Sequence, residues 1–232
     1  MKYKLPRQLD NPETRAIIAR EVRRQKLYIP VASKSRLKEL AEVARAIVKT
    51  GLPSYLVLKK LPGRLGHGIF LHPEAKPILR GEVIAPYTGE VVFVPQNEMD
   101  DSPYAFEIMS KVILNRKEQM DLCNEERYHS RRHYSIHIEA LKKGNFTRFI
   151  NHSDQPNVVA GLFKIPTNSY GLTPSPLEVI YRAQKMIYPG EQLLVCYEGD
   201  DASYWSALEI KPIPIVPKTF TLNSKLKLIK SN

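Results

Sequence analysis

The chain is poor in cysteine, with only Cys123 and Cys196 among 232 residues. That excludes a disulfide framework and a cysteine-built zinc cluster, and it points to a reducing compartment. Long apolar runs are also missing. Nothing approaches the ~20 residues that cross a bilayer, and no signal-peptide core opens the sequence, so no membrane partner is expected. Glycine is outnumbered by proline, 11 to 18, which favours many short strands joined by turns. Acidic residues are in deficit, 24 against 35 Lys+Arg, for a net charge of +11. No internal repeat is visible.

What is present fits a soluble domain with appendages: 43% hydrophobic and 25% charged residues, in a chain long enough to bury a core. The charge is uneven. Residues 1–50 carry 13 basic and 5 acidic side chains, and residues 211–232 carry 5 lysines and no acid. Residues 151–210 invert this, with 3 basic against 7 acidic. Such a split suits a middle that accepts a cationic peptide and ends that touch something anionic, DNA before membrane.

Asn11-Pro12-Glu13 is a helix start, with Ile17, Ile18 and Val22 on one face and Arg15, Arg20, Arg23 and Arg24 making the other basic. A second helix follows Ser33 or Ser35 and stops at Gly51 and Pro53. Strand patterns then cover 55–58, 68–71, 82–87, 90–94, 105–108 and 134–139. An acidic loop over 97–103 and a polar, partly helical stretch over 112–132 interrupt them. We expect an N-terminal helical appendage over 1–54, a main domain over 55–210 with an insert around 96–133, and an extended basic tail over 211–232.

Four pieces carry chemistry. Gly66-His67-Gly68 lets backbone approach a ligand where a Cβ would collide. Gly81 to Glu90 ends an apolar run on Tyr87. Arg148-Phe149-Ile150-Asn151-His152-Ser153 is unsuited to a helix and reads as an irregular, internally bonded loop. Pro189-Gly190 turns into a strand over 190–197 that ends on Tyr197.

In this order the pieces resemble the SET domain of protein lysine methyltransferases, most of all the short stand-alone chlamydial (bacterial) SET-domain proteins. The resemblance implies a mainly β fold with added helices (α+β). It would be a β-clip of small antiparallel sheets with a pseudoknot, preceded here by the helical pair. It further implies S-adenosyl-L-methionine as cofactor and a basic protein as substrate, a histone or bacterial histone-like protein. Gly66, His67, Gly68, Asn151 and His152 would hold the cofactor, with Arg148 placing the loop. Tyr104 and Trp205 would add aromatic contacts. Tyr197 would orient the target amine, and Tyr87 would form the second wall of the lysine channel. A rival reading keeps the fold as a non-catalytic, DNA-associated chromatin protein.

Three departures from the family pattern matter. Cys196 stands where the motif has Asp, removing one supporting hydrogen bond. Asp154 stands where a zinc-binding cysteine follows Asn-His-Ser, so no metal is expected. Val195 replaces the aromatic that often limits methyl number, which leaves product multiplicity open. His129, His133 and His137 have the four-residue spacing of helical metal ligands, but 134–139 reads as strand, which breaks the stripe.

Overall fold

The computed structural model describes Leu9 and residues 11–62, 66–96, 102, 104–166 and 176–197. The basic tail over 211–232 and most of the acidic loop over 97–103 lie outside the described residues.

Two capped helices open the chain. α1 (Pro12–Arg24) starts where the Asn11 side chain accepts the Glu13 amide. α2 (Lys34–Thr50) starts at Ser33 and ends on Gly51, whose left-handed φ of 74° no branched side chain tolerates well. α1 does not present a free basic face. Arg15 is buried, and Arg20 clamps Glu118 with nitrogen–oxygen distances of 2.8 and 3.1 Å while donating to the Ile113 carbonyl. Arg24 is taken by the fully buried Glu21 and the Lys111 carbonyl. Burying Glu21 demands partners, and the neighbouring arginines supply them. The apolar side packs inward: Ile17, Ile18 and Val43 share one buried cluster with the strands below.

Strands β1 (Leu56–Lys60) and β2 (His67–Leu71) form an antiparallel hairpin. β4 (Glu90–Pro95), β6 (Tyr134–Glu139) and β5 (Ala105–Val112) make a three-stranded sheet with β6 in the middle. α3 (Arg116–Cys123), begun by an Asn115–Glu118 capping box, lies in the insert. The central sheet has five strands in the order β3, β9, β8, β10, β7. These are β3 (Val83–Pro86), β7 (Asn151–His152), β8 (Val158–Lys164), β9 (Leu177–Ala183) and β10 (Leu194–Val195).

Two elements differ from expectation. Asn151 and His152 are not irregular loop but strand, parallel to Leu194 and Val195. The stretch over 190–197 is strand only at its centre, because it changes partners. Leu193 first donates to the Ile69 carbonyl beside β2, then β10 enters between β7 and β8. The last strand thus passes between the two limbs of the 153–157 turn. Asn157, 5% exposed, locks the crossing by accepting from the Leu194 amide and donating to the Gln192 carbonyl, both at 2.8 Å.

The central sheet is covered on both faces. Val179, Tyr181 and Ala183 of β9 belong to the large core cluster, while Ile180 packs with Val83, Phe163, Ile165, Ala32 and Leu40. Strand alternation thus sends Tyr181 and Arg182 to opposite sides.

Candidate functional site

Tyr197 leaves β10 with both ends held. Its hydroxyl donates to the Ile150 carbonyl at 2.8 Å, and its amide donates to His152 Nδ1 at 3.1 Å. An accepting Nδ1 fixes the tautomer, so Nε2–H is the donor toward Asp154 Oδ1 at 3.2 Å. The two rings lie 5.5 Å apart. Residue 154, which in the family pattern would carry a metal-binding cysteine, here orients a histidine.

Tyr87 sits just beyond β3 and is 4% exposed. Its hydroxyl donates to the Tyr104 carbonyl at 2.5 Å. Its ring stacks on Tyr181 at 5.4 Å and an interplanar angle of 20°, with Phe106 5.5 Å away on another side. Burial pushes both phenols up: Tyr87 first by desolvation and then by the neighbouring Tyr197, Tyr181 by desolvation and then by Tyr87 and Tyr197. Tyr87 and Tyr181, from distant segments, therefore stack as neutral phenols, with Tyr197 near enough to raise both. Tyr181 was missed by sequence reasoning. Its only signal was the β-rich run Leu177-Glu178-Val179-Ile180-Tyr181.

The glycine pair and the Asn-His segment come together directly. Asn151 Nδ2 donates to the His67 carbonyl at 2.9 Å. A Cβ on Gly68 would meet Gln192 Nε2 at 2.7 Å, Leu61 Cδ1 at 3.2 Å and Asn151 Nδ2 at 3.3 Å, so any larger residue must displace these side-chain ends. Gly66 takes a φ of 67° into β2. His67 is exposed and meets the Phe149 ring edge-on at 5.9 Å. Arg148 lies over Phe149 at 4.8 Å and over Tyr104 at 5.9 Å, and donates to the Ala140 and Leu141 carbonyls at 3.1 and 2.8 Å. It thereby ties the loop to the end of β6. Trp205 lies outside the described residues.

Among the described residues two buried donors here have no hydrogen-bond partner: Arg148 Nε and Gln192 Nε2. With the bare backbone at Gly66 and Gly68 and the rings of His67, Phe149 and Tyr104, they form a cradle of N–H donors and aromatic surface. That chemistry fits the carboxylate, ribose and adenine groups of an adenosyl amino acid. Gln192 is the second residue that sequence reasoning missed. It sits inside the turn-and-strand motif, but nothing in the spacing shows that it faces Gly68.

A cleft of about 600 Å³ opens between the end of α2, Leu58 of β1 and residues 143–149. Arg148 and Phe149 line it, but Tyr197, Tyr87, Asn151 and His152 do not, so it is not the tyrosine site. The three histidines do not converge either. His129 faces Glu125 at 3.2 Å, and His137 faces Glu107 from β6 at 3.6 Å. Among the described residues no group of three His, Cys, Asp or Glu is arranged for a metal ion.

Comparison with known proteins agrees with this architecture. A variant-silencing SET domain-containing protein of Plasmodium falciparum (isolate 3D7) is 29% identical over 124 residues, 51% of this chain. The chain spans 4% of that relative's length. Among solved structures, the ATXR5 SET domain in complex with histone H3 has 22% identity and a TM-score of 0.51, covering 76% of this chain and 72% of that one. A second ATXR5 complex with histone H3.1 gives 22% identity, a TM-score of 0.49 and coverage of 74% and 69%. The SET domain family model matches residues 73–198, more than half of the sequence, and the chain belongs to the SET domain family.

Proposed function

We propose that the chain is an S-adenosylmethionine-dependent protein-lysine N-methyltransferase acting on a basic protein such as a histone or bacterial histone-like protein. The observation that carries this is the stacked pair of neutral phenols Tyr87 and Tyr181, near Tyr197 held at the Ile150 carbonyl, together with the Gly68–Asn151 cradle. When bound, the cofactor supplies a methyl group on a positively charged sulfur. Gly66, Gly68, Asn151, His152, Arg148 and Gln192 would hold it, with Tyr104 and His67 as ring surface and Trp205 as a further contact carried by resemblance.

The chain's own residues do the rest. A lysine in water has a pKa near 10.4, so presenting its neutral amine at pH ~8 costs about 3 kcal/mol, and a desolvating channel lowers that cost. Tyr87 and Tyr181 provide apolar, uncharged walls that admit an alkyl stem. Tyr197 is held by the Ile150 carbonyl and His152, so its hydroxyl keeps a fixed position from which to align the amine. Val195, 2% exposed in β10, leaves no aromatic at that position to limit methyl number.

The acidic middle of the sequence supports a cationic substrate, and the basic ends support DNA contact. With Arg20 and Arg24 engaged in packing, that contact falls to α2 and the tail. We place the protein in the bacterial cytoplasm or, if exported, in a host cell and its nucleus. The test is calorimetric binding of S-adenosylmethionine followed by transfer of labelled methyl to a histone-like protein, with the lysine identified by mass spectrometry. Cofactor binding without transfer to any basic protein would leave the non-catalytic reading standing instead.

A further inference from the structure

β10 ends at Val195, two residues before Tyr197, so no strand ladder holds the tyrosine's backbone. Up to that point the chain is tied residue by residue. Leu193 donates to the Ile69 carbonyl, Leu194 to the Asn157 side chain, and the Val195 carbonyl accepts from the Ser153 amide. The Tyr197 amide then donates to an imidazole rather than a carbonyl, His152 Nδ1 at 3.1 Å. A carbonyl always accepts, but a ring nitrogen accepts only while it carries no proton. The place of Tyr197 therefore depends on the tautomer of His152.

Asp154 selects that tautomer. The His152 side chain is 7% exposed, and Asp154 Oδ1 lies 3.2 Å from its Nε2. A carboxylate only accepts, so it favours the proton on Nε2, and a neutral ring then leaves Nδ1 bare for the Tyr197 amide. The other tautomer would set an N–H against that amide. Asp154 itself is 71% exposed, so water competes for its oxygens and the contact adds little to stability. Its effect is on where the ring proton sits. The turn that carries it is fixed, since the Ser153 and Asn157 amides both bond to β10 and the Gln155 amide returns to Ser153 Oγ at 3.1 Å.

Two of the departures from the family pattern meet at this point. Residue 196 lacks the carboxylate of that pattern, and residue 154 has one where the pattern has a thiol. The two positions lie on the segments that the His152–Tyr197 contact joins, one residue before the tyrosine and two after the histidine. The carboxylate thus stands on the histidine's turn instead of the tyrosine's strand.

We propose that Asp154 is a positioning residue for methyl transfer, which holds the Nε2 proton of His152 so that Nδ1 keeps the Tyr197 amide in place. Tyr197 is then fixed at two points of one segment, its hydroxyl on the Ile150 carbonyl and its amide on His152. The ring keeps its proton throughout, and Asp154 acts only through the ring. The proposal rests on the reading of Tyr197 as the residue that aligns the target amine.

The test is NMR of the imidazole nitrogens in histidine-labelled, full-length protein, with methyl transfer to a histone-like protein followed in parallel. The His152 signals, assigned by their loss in His152→Gln, should show a bare Nδ1 and a protonated Nε2 in the parent. Asp154→Ala should mix the two tautomers and lower kcat about tenfold at saturating cofactor, with the KM for the protein substrate changed by less than about twofold. Asp154→Asn, which can still turn a carbonyl oxygen to Nε2–H, should recover most of the rate and the parent's ring signals. Gln155→Ala, at the exposed neighbour on the same turn, should alter neither quantity. Parent-like ring signals and turnover in Asp154→Ala would overturn the proposal. A raised KM with unchanged ring signals would also overturn it, making Asp154 a contact for the cationic substrate instead. If the parent itself transfers no methyl, the methyltransferase reading falls and the role in transfer falls with it, while the ring signals still show whether Asp154 sets the tautomer.

Discussion

The two faces of the central sheet are both aromatic, yet they set opposite electrostatic conditions. On one, Tyr181 stacks on Tyr87 with Tyr197 near both, and burial keeps the first two as phenols. On the other, Phe163 carries two arginines. β9 serves both from consecutive residues, Tyr181 and Arg182, because a strand turns successive side chains to opposite sides. A site that must strip a proton from a cationic lysine gains from neutral walls. The opposite face keeps its charges, which the ring steadies. The sheet between them lets each environment exist within one strand's thickness of the other.

The sharpest way to break the comparison is on the tyrosine face. Tyr197→Phe removes the hydroxyl that donates to the Ile150 carbonyl but leaves the ring beside His152. Methyl transfer should fall a hundredfold or more, about 2.7 kcal/mol, with cofactor affinity retained. Turnover within a few-fold of the parent would mean that this face works without a positioned phenol. Tyr181→Phe should cost less, since among the described residues its hydroxyl makes no hydrogen bond.

Next in size is the cradle. Gly68→Ala brings a Cβ within 2.7 Å of Gln192 Nε2, so that buried amide must move out of the cradle. Asn151→Ala instead removes the amide tie to the His67 carbonyl. Each should weaken S-adenosylmethionine binding at least tenfold in calorimetry while the fold survives, about 1.4 kcal/mol or more. Unchanged affinity in both would make the segment a structural tie and move the cofactor elsewhere.

Much of this site was readable in the sequence because its residues act where the chain bends or stops. Asn151 and His152 sit in a motif whose composition disfavours helix, Gly68 and Tyr197 follow glycine turns, and Asn11 and Ser33 announce their helices by capping. What escaped was set by distant partners. Tyr181 and Arg182 lie in a short apolar run whose period alone cannot tell strand from helix, and β8 was hidden in the same way. The basic stripe of α1 looked like a ligand surface, but Arg20 meets Glu118 from 98 residues away, which no local pattern announces. The split of the 190–197 segment between two sheets is likewise a matter of threading. Gln192 becomes legible only once Gly68 is placed against it.

The neutrality of the tyrosine face also predicts a pH response. Tyr87 and Tyr181 have folded-state pKa values above the unfolded value near 10 because burial penalises phenolate. Below pH 10 both states hold the proton and stability is unaffected by them. Above it the unfolded chain ionises first, so stability falls as pH rises, by up to roughly 1.4 kcal/mol per pH unit for each such tyrosine. Tyr55, raised to about 12 by burial, and Tyr134 add to the loss. Denaturant unfolding between pH 8 and 11 should show the decline, and Tyr181→Phe should flatten it by one proton's worth. An unchanged slope in that variant would mean its phenol is solvated in solution.

The smallest expected effect lies on the other face, at Gly161. Alanine there would gain a little from reduced backbone freedom in the unfolded chain, a few tenths of a kcal/mol to about 1 kcal/mol. Against this, the new methyl stands 3.0 Å from the Phe163 ring, and the ring is held from the other directions by Arg36, Arg182 and the surrounding core. Overpacking a fixed ring costs on the order of 1–3 kcal/mol, so the net should be a loss of about 1 kcal/mol. In a chain of this size that lowers the melting temperature by about 2–4 °C. Methyl transfer to a free peptide should not change, since the shift stays on the side of the sheet away from Tyr181. A more stable Gly161→Ala protein would show that the ring has slack and is not fixed by Arg36, Arg182 and the core around it.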